Sequence, residues 1–377
     1  MSRGIELTHS TKRRAIPVAM ALAGSLALAA CGASNESDSG SGSSDAGSST
    51  EQLSGTLNGA GSSAQQAAMQ GWTAGFSTEQ PDVTVNYDPV GSGGGREQFL
   101  SGGVDFAGSD AYLSDDEVTK AKDRCGGGDV FELPNYISAI AVVYNLPGVD
   151  ELNLSPDTIA KIFAGSITTW DDPAIKADNP DAQLPGTAIT PVHRGDKSGT
   201  TKNFTDYLAK AAPNSWTGGA VDEWPAQGGE AANGTSGVIS AVQAGKGAIG
   251  YADESQAGSL GIADVKVGSD WVKPSAAGAA AVVEGSQITS GRGQYDFAYD
   301  INRTPTDKSQ YPLVLVSYHI GCMQYADADT ATLVQAFESY VISQDGQKAA
   351  ADQAGSSPIS DTLREQSQKA IDAITSQ

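Results

Sequence analysis

Ala188-Ile189-Thr190-Pro191-Val192-His193 leads into Arg194-Gly195-Asp196-Lys197-Ser198-Gly199-Thr200, which opens a helical stretch from Ser198 to Ala212. A strand, a Gly- and Ser-rich loop and a helix in that order form a recurrent anion-binding unit. A helix N-terminus leaves backbone N–H groups unpaired and carries about half a positive charge. Glycine lets the backbone approach a ligand, and hydroxyls add donors. Two more such loops precede expected helices, Gly59-Ala60-Gly61-Ser62-Ser63 and Gly91-Ser92-Gly93-Gly94-Gly95. Converging on one point, the three loops would surround a tetrahedral oxyanion with N–H and O–H donors. Taken singly each is weak, because the chain holds 45 glycines and such runs are usually turns or tethers. None ends in the Gly-Lys-Ser/Thr of a nucleotide-binding loop.

Outward from these loops, short β-type runs alternate with helical ones, which predicts an α/β fold with largely parallel sheets. Strands are expected over Leu53–Asn58, Val83–Val90, Val104–Ala107, Tyr136–Leu146, Ala188–His193, Gly247–Tyr251 and Leu313–His319. Helices are expected over Ser63–Phe76, Ser114–Lys122, from Ser155-Pro156-Asp157, around Val238–Ala244, over Asp329–Ser343 with Asp329 as cap, and in the Ala-rich C-terminus. Ser-Asp-Asp-Glu and Ser-Pro-Asp are good helix starts.

The formal net charge of -22 argues against a nucleic-acid partner, which needs clustered Lys and Arg. At the N-terminus, Lys12, Arg13 and Arg14 precede an apolar run from Ala15 to Ala30 that is short for a bilayer span. It ends in Leu28-Ala29-Ala30-Cys31-Gly32, the pattern of a bacterial lipobox, in which cleavage leaves a lipid-bearing Cys31 first. An ordinary signal peptide with an incidental cysteine is the plainer alternative. The expected layout is a signal peptide over 1–30 and a lipid-anchored Gly/Ser tether over 31–52. The remaining cysteines, Cys125 and Cys322, form an even pair that outside the cytoplasm reads as a disulfide, with two separate thiols as the alternative.

Two charged elements sharpen the picture. Arg194 offers a bidentate contact to an oxyanion, with Asp196 placed to orient its guanidinium; the bland alternative is an exposed pair of little worth. Arg194-Gly195-Asp196 also spells the tripeptide of adhesion ligands, a match short enough to arise by chance. Asp110, in Val104-Asp105-Phe106-Ala107-Gly108-Ser109-Asp110, is either a ligand-facing carboxylate or a cap.

Together these pieces resemble the substrate-binding protein of bacterial ABC-type phosphate transporters over much of the mature chain. The three loops and the Asp110 segment match that family in order. Ile162-Phe163-Ala164-Gly165-Ser166-Ile167-Thr168-Thr169-Trp170-Asp171-Asp172-Pro173-Ala174-Ile175 is similar to a characteristic family segment, as is Gly247-Ala248-Ile249-Gly250-Tyr251. The resemblance implies an α/β periplasmic-binding-protein fold, two α/β domains hinged around a ligand cleft. Domain I would be 53–144 with 295–377 and domain II 145–294, crossing near Tyr144 and near Gln294 to Tyr299. It implies phosphate donors from Ser63, the Ala64 N–H, Ser92, Arg194, Ser198, and the N–H groups of Gly199 and Thr200 with the Thr200 hydroxyl. Asp110 would accept a hydrogen bond from a protonated phosphate oxygen, and Asp196 would support Arg194. Many members carry Thr and an aromatic where this chain has Ser63-Ala64, so the backbone donor is kept and a ring contact is put in doubt. The partners implied are inorganic phosphate, a membrane-embedded ABC permease, and the outer face of the cell membrane through lipid on Cys31; the protein would be a monomer with no cofactor or metal.

The rival readings are a binder of another oxyanion such as sulfate, molybdate or arsenate, a phosphoesterase using the same loops, and an adhesion or signalling lipoprotein. Catalysis is disfavoured: the mature chain keeps only His193 and His319, and no nucleophile-elbow or metal spacing appears. Trp72, Trp170, Trp216, Trp224 and Trp271 read as packing residues.

Overall fold

Fifteen consecutive residues, Val130 to Tyr144, form one strand whose every residue is buried, and the architecture is built around it. A computed structural model describes residues 52–377. The expected signal peptide, Cys31 and the tether up to residue 51 lie outside the described residues. The chain begins with β1 (Ser54–Gly61), α1 (Gln66–Glu79), β2 (Asp82–Asp88), α2 (Ser92–Leu100), β3 (Phe106–Ser109), α3 (Asp115–Arg124) and β4, the long strand. It continues through β5 (Asn153–Leu154), α4 (Pro156–Phe163), α5 (Pro173–Asp178), β6 (Thr190–Arg194), α6 (Gly199–Ala211), β7 (Glu230–Ala232), α7 (Gly234–Ala244), β8 (Ala248–Asp253) and β9 (Gly261–Ile262). After β10 (Asp264–Val267), β11 (Asp270–Val272), α8 (Ala276–Glu284), β12 (Gln287–Ile288) and β13 (Tyr299–Asp300), β14 (Val314–Cys322) re-enters the sheet. Helices α9 (Ala328–Ile342), α10 (Gln344–Ala354) and α11 (Asp361–Asp372) close the chain.

The main sheet runs β2-β1-β3-β14-β4-β8-β6-β7, with β9 also on β4. Its two flanks are parallel: β1 with β2 and β3, and β6 with β7 and β8. Its middle is antiparallel, because β14 runs against both β3 and β4, and β4 against β8. The expectation of largely parallel sheets is corrected there. Two central strands that traverse the molecule in opposite directions cannot both join a parallel ladder. Along β4 the partner changes between Ala139, opposite Val314, and Ile140, opposite Asp253, so one strand serves both halves of the sheet.

Strand β4 starts six residues before the expected Tyr136, and the reason is local. Pro134 sits beside a bulge: Tyr318 faces Pro134, Ser317 faces Tyr136, and Asn135 is the extra residue. A bulge is where a strand tolerates proline. Asn135 is held from outside the ladder by Gln65 and Gln347 side chains, at 2.9 and 3.0 Å. Glu132, a charge that argues against a buried strand, is paired with Arg292 at 2.6 Å and accepts the Leu113 N–H at 2.9 Å.

Several helix starts follow local chemistry. Ser114 and Glu117 form a reciprocal capping box at α3. Pro156 opens α4 behind Ser155. Helix α9 is capped by Asp327, whose carboxylate accepts the Thr330 N–H at 2.8 Å; Asp329, the expected cap, falls in the first turn, where its charge favours the helix dipole. Cys125, at the end of α3, is bonded to Cys322, the last residue of β14, closing a sequence separation of 197 residues. Loss of this bridge should destabilise the protein by about 3–5 kcal/mol. Urea unfolding of Cys125→Ser/Cys322→Ser against wild type checks this, and coincident midpoints would contradict it.

Candidate anion-binding site

The site is organised by Asp110, the residue after β3, which is only 3% exposed. Its Oδ1 accepts the Ser317 hydroxyl at 2.9 Å. Its Oδ2 faces the Ser92 and Thr200 hydroxyls at 3.4 and 3.3 Å. Its N–H donates to Ser92 Oγ at 3.1 Å, and its carbonyl accepts Asn203 Nδ2 at 2.7 Å. Burial pushes the Asp110 carboxyl above its usual range, opposed by hydrogen bonds from Ser62 and Ser317, the charge of Arg194 and the Thr200 hydroxyl.

The three glycine- and serine-rich loops meet around this carboxylate. Gly91 N–H donates to Gly61 O at 2.8 Å, joining the first loop to the second, and Gly93 N–H donates to Lys197 O at 3.1 Å, joining the second to the third. The approach is close enough to require glycine at two points. A Cβ on Gly199 would lie 2.6 Å from Ser92 Oγ and 2.7 Å from Asp110 Cβ; one on Gly91 would lie 2.3 Å from Asp196 Oδ2, at a φ of +91°. The second loop differs from expectation: α2 already begins at Ser92, so Gly93, Gly94 and Gly95 form its first turn rather than a preceding loop.

Arg194 ends β6 with its side chain 2% exposed. Its Nε donates to Asp196 Oδ1 at 2.7 Å and its Nη2 to Oδ2, a bidentate pair that fixes the guanidinium plane. Burial alone would raise the Asp196 carboxyl, but the Arg194 hydrogen bond and charge and the Gly234 N–H hold it below the usual range. The Arg194 N–H donates to Tyr251 Oη at 3.2 Å. Ser198 caps α6: its Oγ accepts the Thr201 N–H at 3.2 Å, which leaves its own proton available to donate. Ser63 Oγ accepts the Thr235 N–H at 3.0 Å, and the Ala64 N–H donates to Ser62 Oγ at 3.1 Å.

Ser92, Asp110 and Thr200 share one hydrogen-bond network against which Gly199 packs; Arg194 and Asp196 form a second pair, the charge of Arg194 acting on Asp110, and Ser198 caps α6 beside them. Ser63 and Ala64 border the site from the start of α1. Sequence reasoning missed Ser62, Ser317, Asn203, Tyr251 and the start of α7. The signals were present: a lone serine inside the apolar run of β14, and Asn233-Gly234-Thr235-Ser236-Gly237 as a fourth polar, Gly-rich helix start. His193 stacks on Trp224, with ring centroids 4.9 Å apart, and His319 pairs with Glu338 at 2.9 Å in the core. Among the described residues neither histidine is hydrogen-bonded to a hydroxyl, and no cluster of three or more His, Cys, Asp or Glu could hold a metal. Trp72 and Trp170 are fully buried and donate to Gly346 O and Gly247 O at 2.9 and 3.0 Å.

A split sheet flanked by helices, with donor loops from both halves meeting at one carboxylate and one arginine, defines a solute-binding protein of the periplasmic type. Residues 46–345 match the model of the PBP superfamily domain. The chain is 36% identical over 371 residues to the phosphate-binding protein PstS2 of Mycobacterium bovis, covering 96% of this chain and 99% of that one. It is 37% identical over 363 residues to PstS3 of the same organism, covering 95% and 97%. Among solved structures it is similar to a high-affinity periplasmic phosphate-binding protein with phosphate bound, with a TM-score of 0.68, 25% identity and 82% and 92% of the two chains covered. The chain belongs to the PstS-type substrate-binding proteins of ABC phosphate transporters, within the PBP superfamily.

The raised carboxyl of Asp110 has a consequence for stability. A folded-state value above the usual 3.8 means the charged form is disfavoured by folding. The penalty is absent below the unfolded value, grows as pH rises from the unfolded value to the folded one, and is full above the folded one. Ligand-free Asp110→Asn should therefore melt above wild type at pH 7–8, with the gap closing toward about pH 4. Calorimetric scans across that range check the sign; a lower melting temperature for the variant at neutral pH would contradict it.

Proposed function

We propose that this protein captures inorganic phosphate outside the cell membrane and delivers it to an ABC-type import permease. The observation that carries this reading is a buried carboxylate set among hydroxyl donors beside a fixed guanidinium. Ser63, the Ala64 N–H, Ser92, Arg194, Ser198, the Gly199 and Thr200 N–H groups and the Thr200 hydroxyl are the proposed donors. Asp110 is the proposed acceptor. Phosphate near neutral pH keeps at least one proton, which Asp110 can accept as a charge-assisted bond. Sulfate has no proton, so Asp110 would face it as a like charge and an unpaired acceptor. That mismatch costs about 2–5 kcal/mol, roughly 30- to several thousand-fold in affinity. Micromolar binding needs only about 8 kcal/mol net, so the mismatch is large enough to choose the ligand.

The acidic surface does not forbid an anion. Charges across water are screened beyond about 8–10 Å, whereas helix ends and Arg194 act at contact distance. The net charge of -22 slows capture and keeps the protein soluble. The two halves of the sheet act as domains that close over the ligand, flexing where β4 changes partner. Cys31, freed by signal cleavage, bears the lipid that holds a monomeric protein at the outer face of the membrane. Among the described residues no helix is long and apolar enough to cross it.

Arg194→Ala is expected to weaken phosphate binding at least about tenfold, since a bidentate charge-assisted contact is lost; a wild-type isotherm would remove Arg194 from the site. Asp110→Asn is expected to erode discrimination against sulfate more than it erodes phosphate affinity, and an unchanged sulfate-to-phosphate ratio in competition titrations would count against the role of the proton. In cells, deletion of the gene should abolish high-affinity phosphate uptake, and a Cys31→Ala protein should be lost to the medium. Unimpaired uptake in the deletion strain would refute the transport reading.

A further inference from the structure

The proposed anion site is gripped from outside by a second arginine. Arg96 lies on α2, one turn beyond Ser92. Its Nε donates to Glu117 Oε1 at 2.9 Å, its Nη1 to Ser109 Oγ at 3.1 Å, and its Nη2 to Asp222 Oδ2 at 2.8 Å. The first two contacts stay within the half of the molecule that carries β3 and Asp110. The third crosses to the half that carries α6.

Asp222 is not on a loose loop. Its carbonyl accepts the Ser198 N–H at 2.9 Å. Val221 exchanges two bonds with the Thr205 hydroxyl, both 2.9 Å, and Ala220 O accepts Lys202 Nζ at 2.6 Å. Residues 220–222 are thus strapped to the first two turns of α6, and whatever holds Asp222 holds the Ser198-Gly199-Thr200 turn. We propose that Arg96–Asp222 is a latch between the two halves, an ion pair made only when they close, which sets the residence time of phosphate without touching it.

Burial separates this pair from its neighbour. The side chains of Arg96 and Asp222 are 6% and 30% exposed, whereas Lys197–Glu97, which also crosses between the halves, is 45% and 63% exposed and so contributes little. Glu117 keeps Arg96 neutralised when the halves part, so opening breaks one ion pair and leaves no isolated buried charge. The latch favours the closed state whatever anion is inside, because neither partner faces Asp110. It therefore raises affinity for all bound anions alike, while selectivity stays with the Asp110 proton.

The latch rests on the phosphate reading, and the test separates the two. Phosphate binding and dissociation would be measured on the whole chain for wild type, Asp222→Ala, Asp222→Glu and Glu97→Ala. The backbone carbonyl at 222 survives each change, so the strap to Ser198 is kept. Asp222→Ala should weaken phosphate about tenfold, almost entirely through faster release, with the phosphate-to-sulfate ratio unchanged and the salt dependence of release reduced. Asp222→Glu should recover part of the loss, and Glu97→Ala should match wild type. Unchanged release from Asp222→Ala, or a loss equal for Asp222→Ala and Glu97→Ala, overturns the latch. If wild type itself gives no phosphate signal, the phosphate reading has failed; the same release comparison made with sulfate, molybdate and arsenate then decides the latch, with faster release from Asp222→Ala supporting it and unchanged release, or no anion bound by any of the proteins, overturning it.

Discussion

A carboxylate buried at the end of a strand must be hydrogen-bonded, paired or protonated, and the geometry of this protein follows from how Asp110 meets that demand. Its oxygens take hydroxyls from β14, from α2 and from α6, three elements far apart in sequence. Its carbonyl is held by Asn203, and Asn203 in turn accepts from Arg303, which also pairs with Asp206 at 2.8 Å. One side chain thus contacts elements of both halves of the sheet. In the proposed function, a ligand that brings a proton to this costly group would remove the cost of burying it.

Much of this was legible in the residues. The strand–loop–helix units and the Ser114 and Ser155-Pro156 starts follow from local chemistry, and the structure places Ser92, Asp110, Arg194 and Thr200 together, as the resemblance implied. What was not legible depends on partners distant in sequence. Glu132 and Pro134 argue against a strand until Arg292 and the bulge at Asn135 are seen. Ser62 and Ser317 are ordinary serines until β3 is sandwiched between β1 and β14. The antiparallel centre of the sheet was hidden for the same reason: strand direction is set by the long return of the chain to β14, not by composition.

The same architecture resolves the tension between a strongly acidic chain and an anionic ligand. Arg194 is fixed by Asp196, and Asp196 also takes the Gly234 N–H at 3.0 Å, so the guanidinium, the third loop and the start of α7 move as one piece. Donors that are already oriented pay little ordering entropy when an anion arrives. On the proposed reading, selectivity and affinity would have separate origins, the proton acceptor at the centre choosing the anion and the closure of the two halves setting how long it stays.

Calorimetric titration of the anion-stripped protein with phosphate and then with sulfate tests the central claim most directly. Saturable 1:1 binding of phosphate with no measurable sulfate heat is the result the Asp110 geometry predicts. Equal binding of both anions, or no phosphate binding by demonstrably folded protein, would contradict it.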